Sequence, residues 1–254
     1  MQPSSSTAAC SAGPSRTRCR PGAPSRYFIA QLEGRDVAAI AGQTNQPPSW
    51  NTYVAVDDAD ATVERLAALG ATVRSAPSDA GEGGRAATLT DPEGAEFRIW
   101  QPRRRLGVQV TNEPGAWNFS DIHTRNAEAA IAFYTKAFGW QFDDLGFATL
   151  VRRPGYGDHL EATIDPDIRA RQAGVATPSG FEDAIGWLAT PDVGEPVHWH
   201  VTFTVADRDQ IVATAERLGA AVLAHQDSDW TRAALIRDPQ GAVFTASQFT
   251  PPSG

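Results

Sequence analysis

Apolar and polar residues alternate over Trp50–Val56, where Trp50, Thr52, Val54 and Val56 interleave with Asn51, Tyr53 and Ala55. A period of two marks a strand packed on one face. Asp57–Asp58 then offers N-cap oxygens to a helix carrying Val63, Leu66 and Ala67 on one side, and Gly70 supplies the left-handed residue that ends it. Strands follow at Ala71–Arg74, Arg85–Thr90 and Glu96–Gln101. The last two are joined by Asp91–Pro92–Glu93–Gly94, a turn in which Pro fixes φ and Gly accepts a positive one. The predicted unit is βαβββ.

The same pattern returns twice. WHVTFTVADRDQIVATAERLGAAV at Trp199 echoes WNTYVAVDDADATVERLAALGATV at Trp50, and RAALIRDPQGAVF at Arg232 echoes RAATLTDPEGAEF at Arg85. Between them a strand from Trp117 to Thr124, a helix over Ala127–Phe138 and strands at Trp140–Asp143, Phe147–Arg152 and Ala184–Ala189 make another copy. Solenoid repeats recur every ~20–50 residues, so these longer spacings indicate a duplicated domain. Ahead of the first copy, Tyr27–Leu32 and Val37–Ala41 read as a hairpin around Glu33–Asp36. Pro154–Glu182 reads as a long loop with a short helix at Asp167–Gln172, a candidate lid. The expected division is a disordered tail at 1–26, an N-terminal module at 27–101, a polar linker at 102–116 and a C-terminal module at 117–250. Arg103–Arg105 in that linker read as a solvated connector.

Composition narrows the function classes. The formal charge is −8, and residues 1–26 hold four arginines and no acid, so the body is more acidic still. Such a surface argues against nucleic acid or an anionic membrane as partner. Cys10 and Cys19 both lie in the tail, leaving the body without an internal disulfide or thiolate metal site, as suits a reducing cytoplasm. No apolar run approaches the ~20 residues of a membrane span. Gly81–Ala86 spells G-x-G-x-x-A, but it joins two strands and offers no helix N-terminus to a dinucleotide. The expectation is a cytoplasmic protein with a small-molecule partner.

The helix AEAAIAFYTKAFGW and the closing D-P-x-G turns at Asp91 and Asp238 resemble the vicinal oxygen chelate superfamily of glyoxalases, bleomycin-resistance proteins and extradiol dioxygenases. The chain is similar in particular to tandem-module actinobacterial proteins of glyoxalase-like or hydroxylase type. The resemblance implies an α+β fold of tandem modules, each built from paired βαβββ units around a cup. The N-terminal module departs from it, lacking a first strand-helix-strand before Tyr27. We read that start as truncated or translated out of frame. It would leave a sheet edge open to a partner or to oligomerisation.

Strand parity selects the residues facing the C-terminal cup. Trp199, Val201, Phe203 and Val205 suit the helix-covered face, leaving His200, Thr202 and Thr204 concave. Likewise Phe119, Asp121 and His123 face inward from the first strand, and Thr245 and Ser247 from the last. Trp117 could line the cup and stack a planar ligand, with Glu182, Asp183 and the 154–182 loop closing above. His198 reads as a rim residue, and His159 and His225 as surface loop residues.

The resemblance implies metal ligands at positions 119, 200 and 245, occupied here by Phe119, His200 and Thr245, of which only the histidine is a good ligand. The corresponding N-terminal positions hold Asn51 and Arg98, and an arginine repels a cation. The leading expectation is therefore a glyoxalase-like protein that sequesters or transforms a small organic molecule with no tightly held cofactor. Asp121, His123 and His200 would be its acid–base residues, with Thr202, Thr204, Thr245 and Ser247 orienting the ligand. In a competing reading, a shifted metal site of Asp121, His123 and His200 serves a lyase, dioxygenase or hydroxylase. A third makes the chain a regulatory protein acting through the N-terminal sheet edge.

Overall fold

A computed structural model describes residues 27–42, 47–175 and 177–250, and the tail expected over 1–26 falls outside them. Strands β1 (Tyr27–Leu32) and β2 (Arg35–Ala41) form the antiparallel hairpin. Its turn is tighter than predicted, with positive φ at both Glu33 and Gly34, the geometry that matches the twist of paired strands.

The first βαβββ unit comprises β3 (Tyr53–Ala55), α1 (Ala59–Ala68), β4 (Thr72–Asp79), β5 (Gly84–Thr90) and β6 (Glu96–Pro102). Its four strands lie in the order β3-β6-β5-β4. The Asp58 side chain accepts the Ala61 N–H at 2.9 Å, capping α1 as expected.

The other two units merge into one eight-stranded sheet. They are β7 (Trp117–His123), α2 (Ala127–Phe138), β8 (Gln141–Asp144), β9 (Thr149–Arg152) and β10 (Ala184–Ala189), then β11 (His198–Thr204), α5 (Arg208–Arg217), β12 (Ala221–Asp227), β13 (Thr231–Arg237) and β14 (Val243–Phe249). The order is β12-β13-β14-β11-β7-β10-β9-β8, with the halves joined by the antiparallel pair β7–β11. The fold is thus α+β, with tandem modules of βαβββ units. Among the described residues the N-terminal module has one such unit and a hairpin, while the C-terminal module has two.

The modules share a core. Leu66 of α1, Phe97 and Ile99 of β6, Phe133 and Tyr134 of α2, and Trp199 of β11 belong to a single buried cluster. At its centre the Tyr134 hydroxyl donates to Asp91 Oδ2 at 2.9 Å and accepts the Trp199 indole N–H at 3.1 Å. Burial, then the adjacent Asp91 carboxylate, holds the Tyr134 phenol well above its ordinary range, so it keeps its proton and donates. The D-P-E-G turn of one module is therefore docked on the Phe–Tyr helix of the next.

The linker is more than a solvated connector. Val110 and Ala116 are fully buried with Val37 of β2, and Arg103, Arg104 and Arg105 pair with Asp79, Glu82 and Asp36. A second departure lies in the Pro154–Glu182 segment, which holds α3 (Tyr156–Thr163) in addition to the predicted helix, α4 (Ile168–Ala173). Nothing local caps α3. Its first turn is held by Asp183, whose carboxylate accepts the Gly155 and Gly157 N–H groups at 3.1 and 2.8 Å. His225 also moves from the predicted loop to β12, where its Nδ1 accepts a hydrogen bond from the buried Arg208.

Candidate functional site

The central strands β7 and β11, with β10 and β14 beside them, carry the residues expected to face a cup. Register across β7–β11 pairs His123 with His198, Asp121 with His200 and Phe119 with Thr202. The parallel pair β11–β14 sets Thr202 beside Thr245 and Thr204 beside Ser247. Residues paired across adjacent strands point to the same face, so Phe119, Asp121, His200, Thr202 and Thr245 share one face of the sheet. His200 Nε2 lies 2.8 Å from Thr245 Oγ1.

Beside this polar row, on the same face of the sheet, lies an aromatic cluster. Phe119 of β7 and Trp187 of β10 meet edge-on with centroids 6.2 Å apart, and Phe181, from the 3-10 turn Phe181–Asp183, packs on both. The segment between β9 and β10 thus brings an aromatic ring against Phe119 and Trp187, a contact that strand parity could not reveal. The Phe147 ring extends the cluster outward, 6.4 Å from Trp187 and 80% exposed. At the end of the sheet, a cleft of about 310 Å³ opens between Thr124, Ala127, Phe147, Thr149 and Ala189.

The electrostatics are those of a desolvated floor. Burial pushes the Asp121 carboxyl up to about 7, against the lowering effect of the Trp187 N–H that donates to its Oδ1 at 2.9 Å. Burial, followed by the neighbouring His123 and His198, brings His200 down to about 4. His123 also falls to about 4, again through burial first and then His198. Both imidazoles are therefore neutral at pH 7 and offer hydrogen bonds without charge.

Several expected site residues have other partners. The Trp117 indole donates to Ser120 Oγ at 3.0 Å, and the Ser120 side chain alternates away from Asp121. A register shift between Thr202 and Phe203 pairs Trp117 with Phe203, turning it out of the cup. Asp183 is engaged by α3, and Glu182 lies 3.8 Å from Arg169, so both carboxylates are occupied by contacts to the segment between β9 and β10. Removing this anchor with Asp183→Ala should accelerate amide exchange at Gly155–Gly157 about 10-fold, the loss of roughly 1–1.5 kcal/mol of charge-assisted hydrogen bonding. Unchanged exchange there would mean that α3 is held by its other contacts.

The metal positions implied by the superfamily resemblance do not suit an ion. Phe119 carries no donor and is packed against Phe181 and Trp187, while His200 Nε2 is engaged by Thr245. In the N-terminal module the Arg98 guanidinium lies over the Tyr53 ring, 5.6 Å from its centroid, and donates to its hydroxyl at 3.0 Å. The shifted set of Asp121, His123 and His200 is not the one that converges either. Among the described residues the three donors within 4.8 Å of one another are those of His123, Glu195 and His198. Sequence reasoning overlooked Glu195 and left His198 on the rim, although Glu195, His198 and His200 stand close together in the chain.

The repeated βαβββ architecture is the fold expected of a glyoxalase-like protein. The glyoxalase-like domain family model matches residues 11–100 and 119–247, and the chain belongs to that family. The match begins inside the stretch that composition assigns to a tail. CFP32 of Mycobacterium tuberculosis, named as a glyoxylase, is 33% identical over 238 residues, covering 91% of this chain and 83% of the relative. DnrV of Streptomyces peucetius, an anthracycline biosynthesis protein, is 32% identical over 240 residues, covering 88% of this chain and 80% of the relative. Among solved structures, the Mn(II)-bound glyoxalase of Novosphingobium aromaticivorans superposes with a TM-score of 0.50 at 16% identity, a likeness of fold. The alignment covers 79% of this chain and 63% of that one, less than two thirds of its length. Among the described residues no helix is long and apolar enough to cross a membrane.

Proposed function

We propose that the C-terminal cup binds a planar small organic molecule, seated over the adjoining aromatic cluster and polar row. The observation that carries this reading is the grouping of Phe119, Phe181 and Trp187 on one side of a floor whose other side is His200, Thr202 and Thr245. Aromatic rings recognise a flat π-system through stacking and edge contacts, while neutral imidazole and hydroxyl groups satisfy carbonyl and hydroxyl substituents without demanding a counter-charge. The relative named for anthracycline biosynthesis supports a polycyclic aromatic ligand of quinone type. Asp121, pushed up to about 7 by burial, can give or take a proton on a bound phenol or ketone near neutral pH, while the neutral His200 offers a hydrogen bond from the adjacent strand.

Titration with a hydroxyanthraquinone, followed by quenching of tryptophan fluorescence, tests the proposal. Saturable binding is expected, weakened about 10-fold by Trp187→Ala, which removes stacking and burial worth roughly 1.5 kcal/mol. Phe119→Ala should act in the same direction. Unchanged affinity in both variants would sink the reading. Mass spectrometry of the ligand after incubation separates sequestration, which returns it unaltered, from catalysis.

A further inference from the structure

We propose that His123, Glu195 and His198 form a binding site for a borderline-soft divalent cation, Zn²⁺ foremost, at the rim of the C-terminal cup. The site lies four residues along β7 from Phe119 and two along β11 from His200. It is therefore distinct from the positions that the superfamily resemblance implies, and it does not depend on the organic ligand proposed above.

The donor set is prepared for an ion by its surroundings. Each residue offers one ligand atom, and all three lie within 4.8 Å of one another. Donors around a tetrahedral zinc are roughly 3.4 Å apart, so side-chain rotation of about an ångström closes the site. The ring nitrogen Nδ1 of His198 is 2.9 Å from the Pro196 carbonyl oxygen. A carbonyl can only accept, so Nδ1 carries the proton and Nε2 keeps its lone pair. That Nε2 lies 3.6 Å from Glu195 Oε1. The other carboxylate oxygen, Oε2, accepts the Asp192 N–H at 3.0 Å, leaving Oε1 free for a cation. Across the strand pair, His123 Nδ1 is buried without a hydrogen-bond partner among the described residues. A buried, unpaired imidazole nitrogen is costly unless a ligand satisfies it.

The turn carrying Glu195 is fixed from a distance. The Glu195 N–H donates to the Asp192 carbonyl at 3.0 Å, and Gly194 adopts φ +87 between them. The Arg125 guanidinium donates to the carbonyls of both Asp192 and Glu195. Glu93, in the D-P-E-G turn of the N-terminal module, accepts the Arg125 backbone N–H at 2.9 Å and the Thr124 hydroxyl. The first module thus braces the carboxylate donor of the second.

Two imidazoles and one carboxylate favour Zn²⁺, Ni²⁺ or Co²⁺ over Mg²⁺ or Ca²⁺, which demand oxygen-rich shells. With three protein ligands, a bound ion retains an open position and supplies Lewis acidity beside the cup.

Titration calorimetry of the full chain with Zn²⁺ alone tests this, in a background where Cys10→Ser and Cys19→Ser remove competing thiols. One ion per chain is expected, with Co²⁺ giving a visible d–d band of tetrahedral intensity. His198→Ala and His123→Ala should abolish the stoichiometric phase, and Glu195→Gln, on an exposed turn that leaves the core intact, should weaken it at least 10-fold. His200→Ala should retain one ion per chain. Absence of saturable one-to-one binding at micromolar Zn²⁺ overturns the proposal. Retention of the ion in Glu195→Gln and His198→Ala with loss in His200→Ala also overturns it, by returning the metal to the floor of the cup.

Discussion

Replacing Asp91 by alanine is expected to lower stability by about 3–4 kcal/mol, far more than the same change in the equivalent turn of the last repeat. Asp91 is 5% exposed, and its Oδ1 accepts the N–H groups of Glu93, Gly94 and Ala95 at 3.0, 2.8 and 2.9 Å. Its Oδ2 takes the Tyr134 hydroxyl, which also receives the Trp199 indole. Removing the carboxylate leaves buried donors unpaired on two modules at once, and each orphaned donor costs about 1–3 kcal/mol before relaxation. Asp238 makes the same three bonds, to Gln240, Gly241 and Ala242, at 2.9, 2.8 and 2.9 Å, in a half-buried turn where water can replace it. Asp238→Ala should therefore cost only about 1 kcal/mol. The measurement is denaturant unfolding of both variants, with a fall in Tm on the order of 10 °C for Asp91→Ala. Equal losses in the two would mean that the inter-module bond to Tyr134 contributes nothing.

Gly186→Ala is expected to disrupt the site together with the fold. A Cβ at this position would lie 1.9 Å from the Ser120 carbonyl oxygen and 2.7 Å from its carbon, backbone atoms of the neighbouring strand. The reason for glycine is space, because β10 runs between β7 and β9 and cannot move away from one without breaking register with the other. Overpacking of buried positions costs about 1–3 kcal/mol where side chains can yield, and a backbone clash belongs at or above that range. The next residue, Trp187, donates its N–H to Asp121 and presents its ring to Phe119. Quinone affinity should consequently fall with stability, by more than the 10-fold expected of Trp187→Ala. Gly186→Ala protein with unfolding free energy within 1 kcal/mol of the parent and normal binding would show that β10 has freedom the packing denies it.

Much of the fold was legible in the chain, and the reasons are local. Alternation at Trp50–Val56, Trp117–Thr124 and Trp199–Val205, the helix signals between them, and D-P-x-G turns at Asp91 and Asp238 are properties of neighbouring residues. They predict three βαβββ units, and the units are present. Parity also placed His200, Thr202, Thr245 and Ser247 on one face, because side chains alternate across any strand whatever it pairs with. The same rule failed at Trp117, where a register shift against Phe203 overrides simple counting. Helix α3 escaped notice because its first turn is capped by Asp183 across 26 residues of chain.

The sequence by itself determined the repeated unit and, along most of its strands, which residues share a face. Only the tertiary structure decided which donors meet. His123 and His198 become neighbours through antiparallel register between strands of different repeats, and Glu195 joins them because Arg125 and Glu93 hold its turn. Alternation is set within a few residues by backbone geometry. Convergence of side chains on one point is set by cross-strand register and loop anchoring, and those depend on residues distant in the chain.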